Sequence, residues 1–270
     1  MLLGIDIGGT TISLGLVEGT DIVKKVCVRS FEPGATLEET LDYLFKQIDS
    51  IITPAVKSIG IGVPTLVDAA TGTVYDAANI PSWVEVPLKS ILEKRFWIPA
   101  NVNNDANCYA LGASAKLGKD LVCITLGTGT GVGIVSDGKI FSGANCGAGE
   151  ICSLPYNGKD YESFCSKQFF IAQHVSPKEA ADAAERGELW AIKMYEEFGR
   201  HMGELITTIL YAYNPSCIVL GGGVAHSAPL FMKSMKETIR ERYAYKRFLD
   251  KLDIQAMPEA DLALLGASLL

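Results

Sequence analysis

Residues 122–151 read VCITLGTGTGVGIVSDGKIFSGANCGAGEI. The apolar run Val122–Leu126 is typical of a buried strand, and it stops at the glycine-threonine sequence 127–131 before a second apolar run begins. This pattern predicts a β-hairpin. Because glycine has no Cβ, the turn can bring backbone N–H groups close to a phosphate, with the hydroxyls of Thr128 and Thr130 as further donors. Taken alone, the hairpin fits a tight turn without a ligand equally well.

The same pattern occurs at the N-terminus, where residues 2–17 read as an apolar strand, a Gly-Gly-Thr turn and a second apolar strand. The repetition predicts that two halves of the chain each contribute a hairpin to the phosphates of one nucleotide. Only the first hairpin carries an acid, Asp6, which has apolar neighbours. A buried carboxylate needs a partner, so we expect Asp6 to hold a metal ion or a metal-bound water. The alternative is an aspartate that caps its own turn.

Three segments carry a resemblance to a known superfamily. Residues 6–10 (DIGGT), 126–133 (LGTGTGVG) and 217–224 (CIVLGGGV) resemble the two phosphate segments and the adenosine segment of the actin, hexokinase and Hsp70 superfamily. Residues 143–151 (GANCGAGEI) and 102–107 (VNNDAN) narrow the resemblance to the sugar kinases of the repressor, open-reading-frame, kinase (ROK) family. No single motif is decisive, but the five occur in the family's order.

The resemblance implies an α/β protein with the two-lobed, ribonuclease H-like architecture of the actin-like ATPases. We expect one lobe at residues 1–107 plus 259–270 and the other at residues 108–258, with nucleotide and sugar in the cleft between them. Asp6 would hold Mg²⁺, directly or through water. The residues implied to contact ATP are Gly8, Gly9, Thr10, Gly127, Thr128, Gly129, Gly222 and Gly223. The last two also fit a simple turn.

A polar cluster at residues 103–107 follows an apolar strand and precedes a helix that we expect to begin near Ala106. Ligands of α/β proteins bind at this edge of a sheet. In the family that the chain resembles, the matching aspartate is the general base for the sugar hydroxyl and the asparagine holds neighbouring hydroxyls. The resemblance therefore implies that Asp105 is catalytic and that Asn104 binds the sugar. The alternative is that Asp105 is a helix N-cap.

Further sugar contacts are implied by the resemblance. Glu150 matches a ligand of the sugar's ring hydroxyls, and Glu162, the one retained residue of a family segment, is a further substrate-binding candidate. Ser153 stands where most members have histidine, and Thr65 where a glycine is usual. Asn79 and Trp83 are candidates for walls of the sugar site. The alternatives are a turn-forming Asn79, a Trp83 that only packs its loop and a solvent-facing Glu162 at a helix start.

The absence of this histidine also affects whether a structural zinc is expected. In most members it also binds a structural zinc, together with a cysteine-rich segment that residues 157–163 here do not reproduce. Cys146, Cys152 and Cys165 show none of the usual zinc-ligand spacings. We therefore expect no structural zinc.

Composition excludes several classes of protein. The 270 residues carry a net charge of −7 without a Lys/Arg-rich block, which argues against nucleic-acid and anionic-membrane partners. The first strand follows directly on Met1, so we expect neither a secretion signal nor a repressor's helix-turn-helix. Seven irregularly spaced cysteines do not form a disulfide framework. We expect a cytoplasmic protein, and the resemblance implies a homodimer.

Periodicity and capping residues predict the remaining elements. Capping-box spacing marks helix starts at Thr36 and Ser176. The other expected elements are a third meander strand at 21–29, buried strands at 58–63 and 217–220, a strand at 252–256, and helices at 87–96, 189–213, 229–245 and 260–270.

The function implied is an ATP-dependent, glucokinase-like kinase that uses Mg²⁺ to phosphorylate a hexose or N-acetylhexosamine at O6. A sugar-sensing or sugar-binding ROK protein without turnover is the alternative, because Ser153 and Thr65 depart from the kinase pattern. Against it, Asp6, Asp105 and Glu150 occur together.

Overall fold

The fold is seen in a computed structural model of residues 1–270. The strands are β1 (Leu2–Ile7), β2 (Thr11–Glu18), β3 (Asp21–Arg29), β4 (Ile59–Val63), β5 (Val67–Asp68), β6 (Thr73–Tyr75), β7 (Glu85–Val86), β8 (Ala100–Asn104), β9 (Leu121–Leu126), β10 (Thr130–Ser136), β11 (Lys139–Ile140), β12 (Pro155–Tyr156), β13 (Lys159–Asp160), β14 (Cys217–Gly221) and β15 (Asp253–Ala256). The helices are α1 (Leu37–Ile51), α2 (Leu88–Phe96), α3 (Asp105–Leu117), α4 (Tyr161–Cys165), α5 (Lys167–Ile171), α6 (Pro177–Glu185), α7 (Leu189–Tyr213), α8 (Ala228–Arg242) and α9 (Asp261–Ser268).

The chain divides into two compact units. The first consists of Met1–Lys119, Gly133–Ala148 and Ala260–Leu270, and the second of Asp120–Val132 and Gly149–Glu259. No helix combines the length and the apolar character that a membrane span requires.

The first unit is built on a five-stranded sheet of order β3-β2-β1-β4-β8. The β1–β3 meander is antiparallel, whereas β1, β4 and β8 run parallel. β4 is buried along its whole length, as expected for a central parallel strand covered on both faces. α1 contributes Leu44, Ile48 and Ile51 to the core on this sheet.

The C-terminal helix α9 packs onto this unit through glycines. Gly4 on β1, Gly60 on β4 and Gly112 on α3 face α9, and a Cβ atom on any of them would overlap a carbonyl oxygen of α9. The backbone of α9 therefore lies directly against the backbones of β1, β4 and α3, which only glycine permits.

The second sheet has the order β11-β10-β9-β14-β15. In the second unit, β9, β14 and β15 are parallel, with Ile218 opposite Val122 on one side and Ile254 on the other. α7 and α8 pack closely because Gly199 and Gly203 of α7 have no side chains in the contact with α8.

Most predicted elements are confirmed, including the meander, both capping boxes and the helix Leu189–Tyr213. The prediction of a helix over 229–245 is wrong at its end. α8 stops at Arg242, Tyr243 has an extended backbone, and the Ala244 amide donates to the Tyr211 hydroxyl at 2.8 Å. A tertiary contact with α7 therefore ends the helix before its local pattern does.

Candidate active site

Polar side chains of the first unit meet where β1, β4 and β8 end. Asp6 on β1 lies opposite Gly62 on β4, and Gly62 lies opposite Asn103 on β8. The strands are parallel, so their carboxyl ends share one edge of the sheet. A Cβ on Gly62 would lie 3.2 Å from the Cys108 sulfur and 3.5 Å from the Asp105 Cα. The absence of a side chain at Gly62 thus lets the start of α3 lie against β4.

Asn104, and not Asp105, caps α3. The Asn104 Oδ1 accepts hydrogen bonds from the amides of Ala106 at 2.9 Å and Asn107 at 3.2 Å. Asp105 is the first helical residue, and its Oδ1 accepts from the Ala106 amide at 2.8 Å. The prediction that the helix begins near Ala106 is confirmed to within one residue. The alternative in which Asp105 is the N-cap is wrong.

The Asn104 side chain is held from two sides. While Oδ1 caps the helix, Nδ2 donates to the Thr65 carbonyl at 3.2 Å. The Thr65 hydroxyl in turn donates to the Tyr75 carbonyl at 2.7 Å, which fixes the loop after β4. Thr65 therefore orients Asn104 through its backbone.

Two more asparagines support this turn. The Asn103 Oδ1 accepts from the Asn104 amide at 2.8 Å and from the Asn107 Nδ2 at 3.0 Å. Both side chains are buried, and the Asn107 Oδ1 has no hydrogen-bond partner in the protein. The polar cluster recognised in the sequence is therefore a connected network that fixes the start of α3.

The surroundings of Asp6 disfavour its ionised carboxylate. Its pKa is raised to about 7, first by burial and second by the negative charge of Asp105, against a lowering by Lys25. A bound cation would relieve both causes. Mg²⁺ prefers oxygen ligands and commonly takes only one or two carboxylates, completing its coordination with water and phosphate oxygens. The donor set at this edge fits such an ion.

The first glycine hairpin connects β1 and β2. The Gly8 amide donates to the Thr11 carbonyl at 2.9 Å. Ser30, the residue that follows β3, anchors the turn, because its hydroxyl donates to the Gly8 carbonyl at 2.8 Å. The Asn79 Nδ2 lies 3.5 Å from where a Gly9 Cβ would be. Asn79 therefore lies against this hairpin.

Trp83 is not a wall of an open site. Its side chain is fully buried, and its Nε1 donates to the Thr40 hydroxyl at 2.8 Å. It also packs against Phe31, with ring centroids 5.6 Å apart. The alternative interpretation, a tryptophan that packs its loop, is confirmed.

The second glycine hairpin connects β9 to β10 through residues 127–129, and Thr130 is the first residue of β10. The Gly127 amide donates to the Gly129 carbonyl at 2.9 Å and closes the turn. The Thr130 hydroxyl donates to the Cys165 carbonyl at 2.8 Å and is buried, so it holds the turn and is not the exposed phosphate donor that the sequence suggested. The Thr130 amide donates to the Glu162 Oε2 at 3.1 Å. Glu162 is therefore not the solvent-facing residue of the alternative interpretation.

Glu150 and Ser153 begin and end one 3₁₀ turn, and both are exposed, whereas Ile151 and Cys152 point into the protein. The turn follows Gly149, whose φ of 102° and close approach to the Val132 carbonyl exclude a side chain. The 3₁₀ turn that follows Gly149 thus exposes the side chains of Glu150 and Ser153.

The cysteines near this turn are buried thiols. Burial raises the pKa of Cys152 to about 12 and that of Cys165 well above its usual range. No group of three or more His, Cys, Asp and Glu side chains is arranged to hold a metal ion. The absence of zinc itself stays a prediction.

The late glycines follow β14. Gly222 has a φ of 80°, and a Cβ there would lie 2.6 Å from the Leu126 carbonyl oxygen, so this glycine is required by the fold. Gly223 has nothing within 4 Å of its Cβ position. Of these two glycines, Gly223 is therefore the one that borders open space.

Comparison with known proteins identifies the family. The model of the ROK family matches residues 2–270. The chain belongs to the ROK family. It is 30% identical to a glucokinase of Halalkalibacterium halodurans over 92% of this chain and 87% of that protein. It is 26% identical to a xylose repressor of Caldicellulosiruptor bescii over 97% of this chain and 76% of the repressor.

A solved relative shares the fold of this ROK protein. The ROK family glucokinase from Streptomyces griseus, in complex with glucose and AMPPNP, superposes with a TM-score of 0.80 at 26% identity, covering 99% of this chain and 97% of that one. The α/β fold of the actin-like ATPases, predicted from five short motifs, is thereby confirmed.

Sequence reasoning missed three residues that shape the site of this ROK protein. Asn103 belonged to a recognised motif without an assigned role, and Gly62 lay in a strand pattern that does not reveal its neighbours. Ser30 had no local signal, because it contacts a turn 22 residues away.

Proposed function

We propose that this ROK protein is a carbohydrate kinase that transfers the γ-phosphoryl group of ATP to O6 of a hexose or N-acetylhexosamine. The observation that carries the proposal is the position of Asp105, which begins α3 at the sheet edge where Asp6 lies near the end of β1, close enough for the Asp105 charge to raise the pKa of Asp6. Similarity to glucokinases supports the same class of reaction.

In this proposal Asp105 is the general base. Its carboxylate accepts the proton of the attacking sugar hydroxyl, a role that requires hydrogen-bond distance and a fixed side chain. The Asn103–Asn104–Asn107 network supplies that rigidity by fixing the first turn of α3. Asn104 precedes Asp105 in the chain and is oriented by the Thr65 carbonyl. It binds a sugar hydroxyl next to the attacking one.

The two hairpins receive the phosphates of ATP. Gly8, Gly9 and Thr10 in the first hairpin and Gly127, Thr128 and Gly129 in the second offer backbone close to an anion. Asp6 would hold Mg²⁺, directly or through water, and the ion would neutralise charge on the β- and γ-phosphates. The open space beside Gly223 suits the adenosine.

The sugar is bound by the exposed side chains of Glu150 and Ser153, together with Glu162. Asn79 would bind the sugar beside the first hairpin, and its contact with Gly9 supports this position. Thr65 acts through its carbonyl contact with Asn104, because its hydroxyl is already bonded to Tyr75.

The test is a coupled assay of ADP release with a panel of hexoses and N-acetylhexosamines, each paired with its 6-deoxy analogue as the matched control. We expect turnover with at least one sugar and none with its 6-deoxy analogue. Turnover with the 6-deoxy sugar would contradict O6 as the acceptor, and ADP release that is independent of sugar would contradict the kinase assignment.

The second candidate is a sugar-binding ROK protein without turnover. Its support is the similarity to a xylose repressor and the engagement of the Thr65 hydroxyl within its own loop. Calorimetry with the same panel, combined with the ADP assay, separates the two, because a sensor binds a sugar that does not stimulate ADP release, whereas a kinase shows both effects.

A further inference from the structure

Three hydrogen bonds join the second hairpin to residues 162–167, a segment more than thirty residues later in the chain. The Glu162 carboxylate accepts the Thr130 amide at 3.1 Å, the Cys165 carbonyl accepts the Thr130 hydroxyl at 2.8 Å, and the Lys167 amide donates to the Gly127 carbonyl at 3.0 Å. Two of these bonds are made by backbone groups of the segment. Glu162 makes the third with its side chain, and it is the contact that a substitution can remove.

The Glu162 carboxylate also lies directly against Gly129. Its Oε2 is 2.5 Å and its Oε1 3.6 Å from where a Gly129 Cβ would be. The backbone of Gly129 is outside the left-handed region, so its torsion angles do not themselves require glycine. Glycine is therefore needed here because the carboxylate of Glu162 takes up the space.

The helix that carries Glu162 is itself fixed. The Tyr161 hydroxyl and the Thr208 hydroxyl of α7 share a hydrogen bond of 2.8 Å, and the Tyr161 ring stacks on Tyr156 with centroids 4.4 Å apart. Cys165 is fully buried. Glu162 thus projects from a fixed helix, and its carboxylate determines where the Gly129–Thr130 peptide lies.

We propose that Glu162 is a positioning residue for the phosphate hairpin: by accepting the Thr130 amide and covering Gly129, it sets the hairpin conformation that binds the nucleotide. This inference rests on the proposed function for the identity of the ligand. It adds to the sugar contact a separate action of Glu162 on the nucleotide, exerted through Thr130.

The experiment compares Glu162→Gln, Glu162→Ala, Gly129→Ala and the double variant Gly129→Ala/Glu162→Ala. Two quantities are measured: hydrogen exchange of the Thr130 amide, and AMPPNP affinity by calorimetry without sugar. When a hydrogen bond to a charged group in a fixed position is lost, the equilibrium that depends on it shifts roughly tenfold or more. We expect Glu162→Ala to lower both Thr130 protection and AMPPNP affinity about tenfold, and Glu162→Gln, which keeps an acceptor oxygen, to retain most of both.

The double variant supplies the decisive comparison. Gly129→Ala alone must push the carboxylate away and should weaken AMPPNP binding, but with Glu162→Ala the new Cβ has room. We therefore expect the effects of the two substitutions to be far from additive. Additive losses, or a Glu162→Ala variant with unchanged Thr130 exchange and unchanged AMPPNP affinity, would overturn the proposal.

The failure of this inference can be distinguished from failure of the proposed function. If the wild-type protein binds AMPPNP but no sugar stimulates ADP release, the kinase proposal fails and the comparison of variants still decides the role of Glu162. If the wild-type protein binds no AMPPNP, both are overturned.

Discussion

Asn104 caps the helix whose first residue is Asp105. The capping bonds to the amides of Ala106 and Asn107 come from Asn104, so the start of α3 does not depend on a charge at position 105. Substitutions of Asp105 can therefore probe chemistry with little effect on the fold.

Asp105→Asn is expected to lower kcat by ~10²–10⁴, the usual range for loss of a general base, with sugar affinity and thermal stability nearly unchanged. The amide keeps an acceptor for the Ala106 N–H but cannot take the proton. Steady-state kinetics and calorimetry measure the two effects. Asp49→Asn, at an exposed ion pair with Arg95 in the same unit, is the control and should keep normal turnover. Retention of more than about a tenth of the wild-type rate would remove Asp105 from this role.

Trp83→Phe tests the assignment of Trp83 to the core. The change removes the hydrogen bond from Nε1 to Thr40 and part of a fully buried ring, and we expect the free energy of unfolding to fall by about 1–3 kcal/mol. Urea denaturation gives this value. The KM for sugar should not change in the folded protein, and a marked rise in KM at unchanged stability would instead indicate contact with the substrate.

Metal content is the third prediction. The purified protein should contain no stoichiometric zinc, and chelator treatment followed by dialysis should leave Tm unchanged in the absence of nucleotide. The physical reason is that the cysteines show none of the usual zinc-ligand spacings, and no three His, Cys, Asp or Glu side chains are grouped to hold a metal ion. Elemental analysis is the direct measurement. One zinc per chain would contradict the prediction and direct attention to Cys146, Cys152 and Cys165.

Ser153→His tests whether the sugar site is still built for histidine. An added hydrogen bond to the sugar is worth ~0.5–1.5 kcal/mol, which would lower Kd a few-fold. However, Ser153 is exposed at the end of a short 3₁₀ turn, and no cluster of metal ligands is present to orient an imidazole. We expect unchanged or weaker affinity by calorimetry with the preferred sugar. A clear gain would mean that serine is a simple loss at an otherwise intact site.

Local features of the sequence predicted most elements of the fold. The capping boxes at Thr36 and Ser176 and the strand-turn-strand pattern of residues 2–17 depend on residues a few positions apart, so they could be found without tertiary information. Five short motifs in one order, four of them glycine-rich, were likewise sufficient to indicate the family. These features are local because hydrogen bonds of caps and turns join near neighbours in the chain.

The tertiary structure alone decided which of those residues act together. The bond between Thr130 and Glu162 joins residues 32 apart, and the role of Ser30 behind Gly8 has no local pattern. The structure also gave different positions to two residues that the sequence treated alike. Trp83 is buried in the core, whereas Asn79 lies against the first glycine hairpin. Periodicity tells which face of an element is apolar, but the partner of that face is set by packing over the whole chain, where burial and close approach select one arrangement.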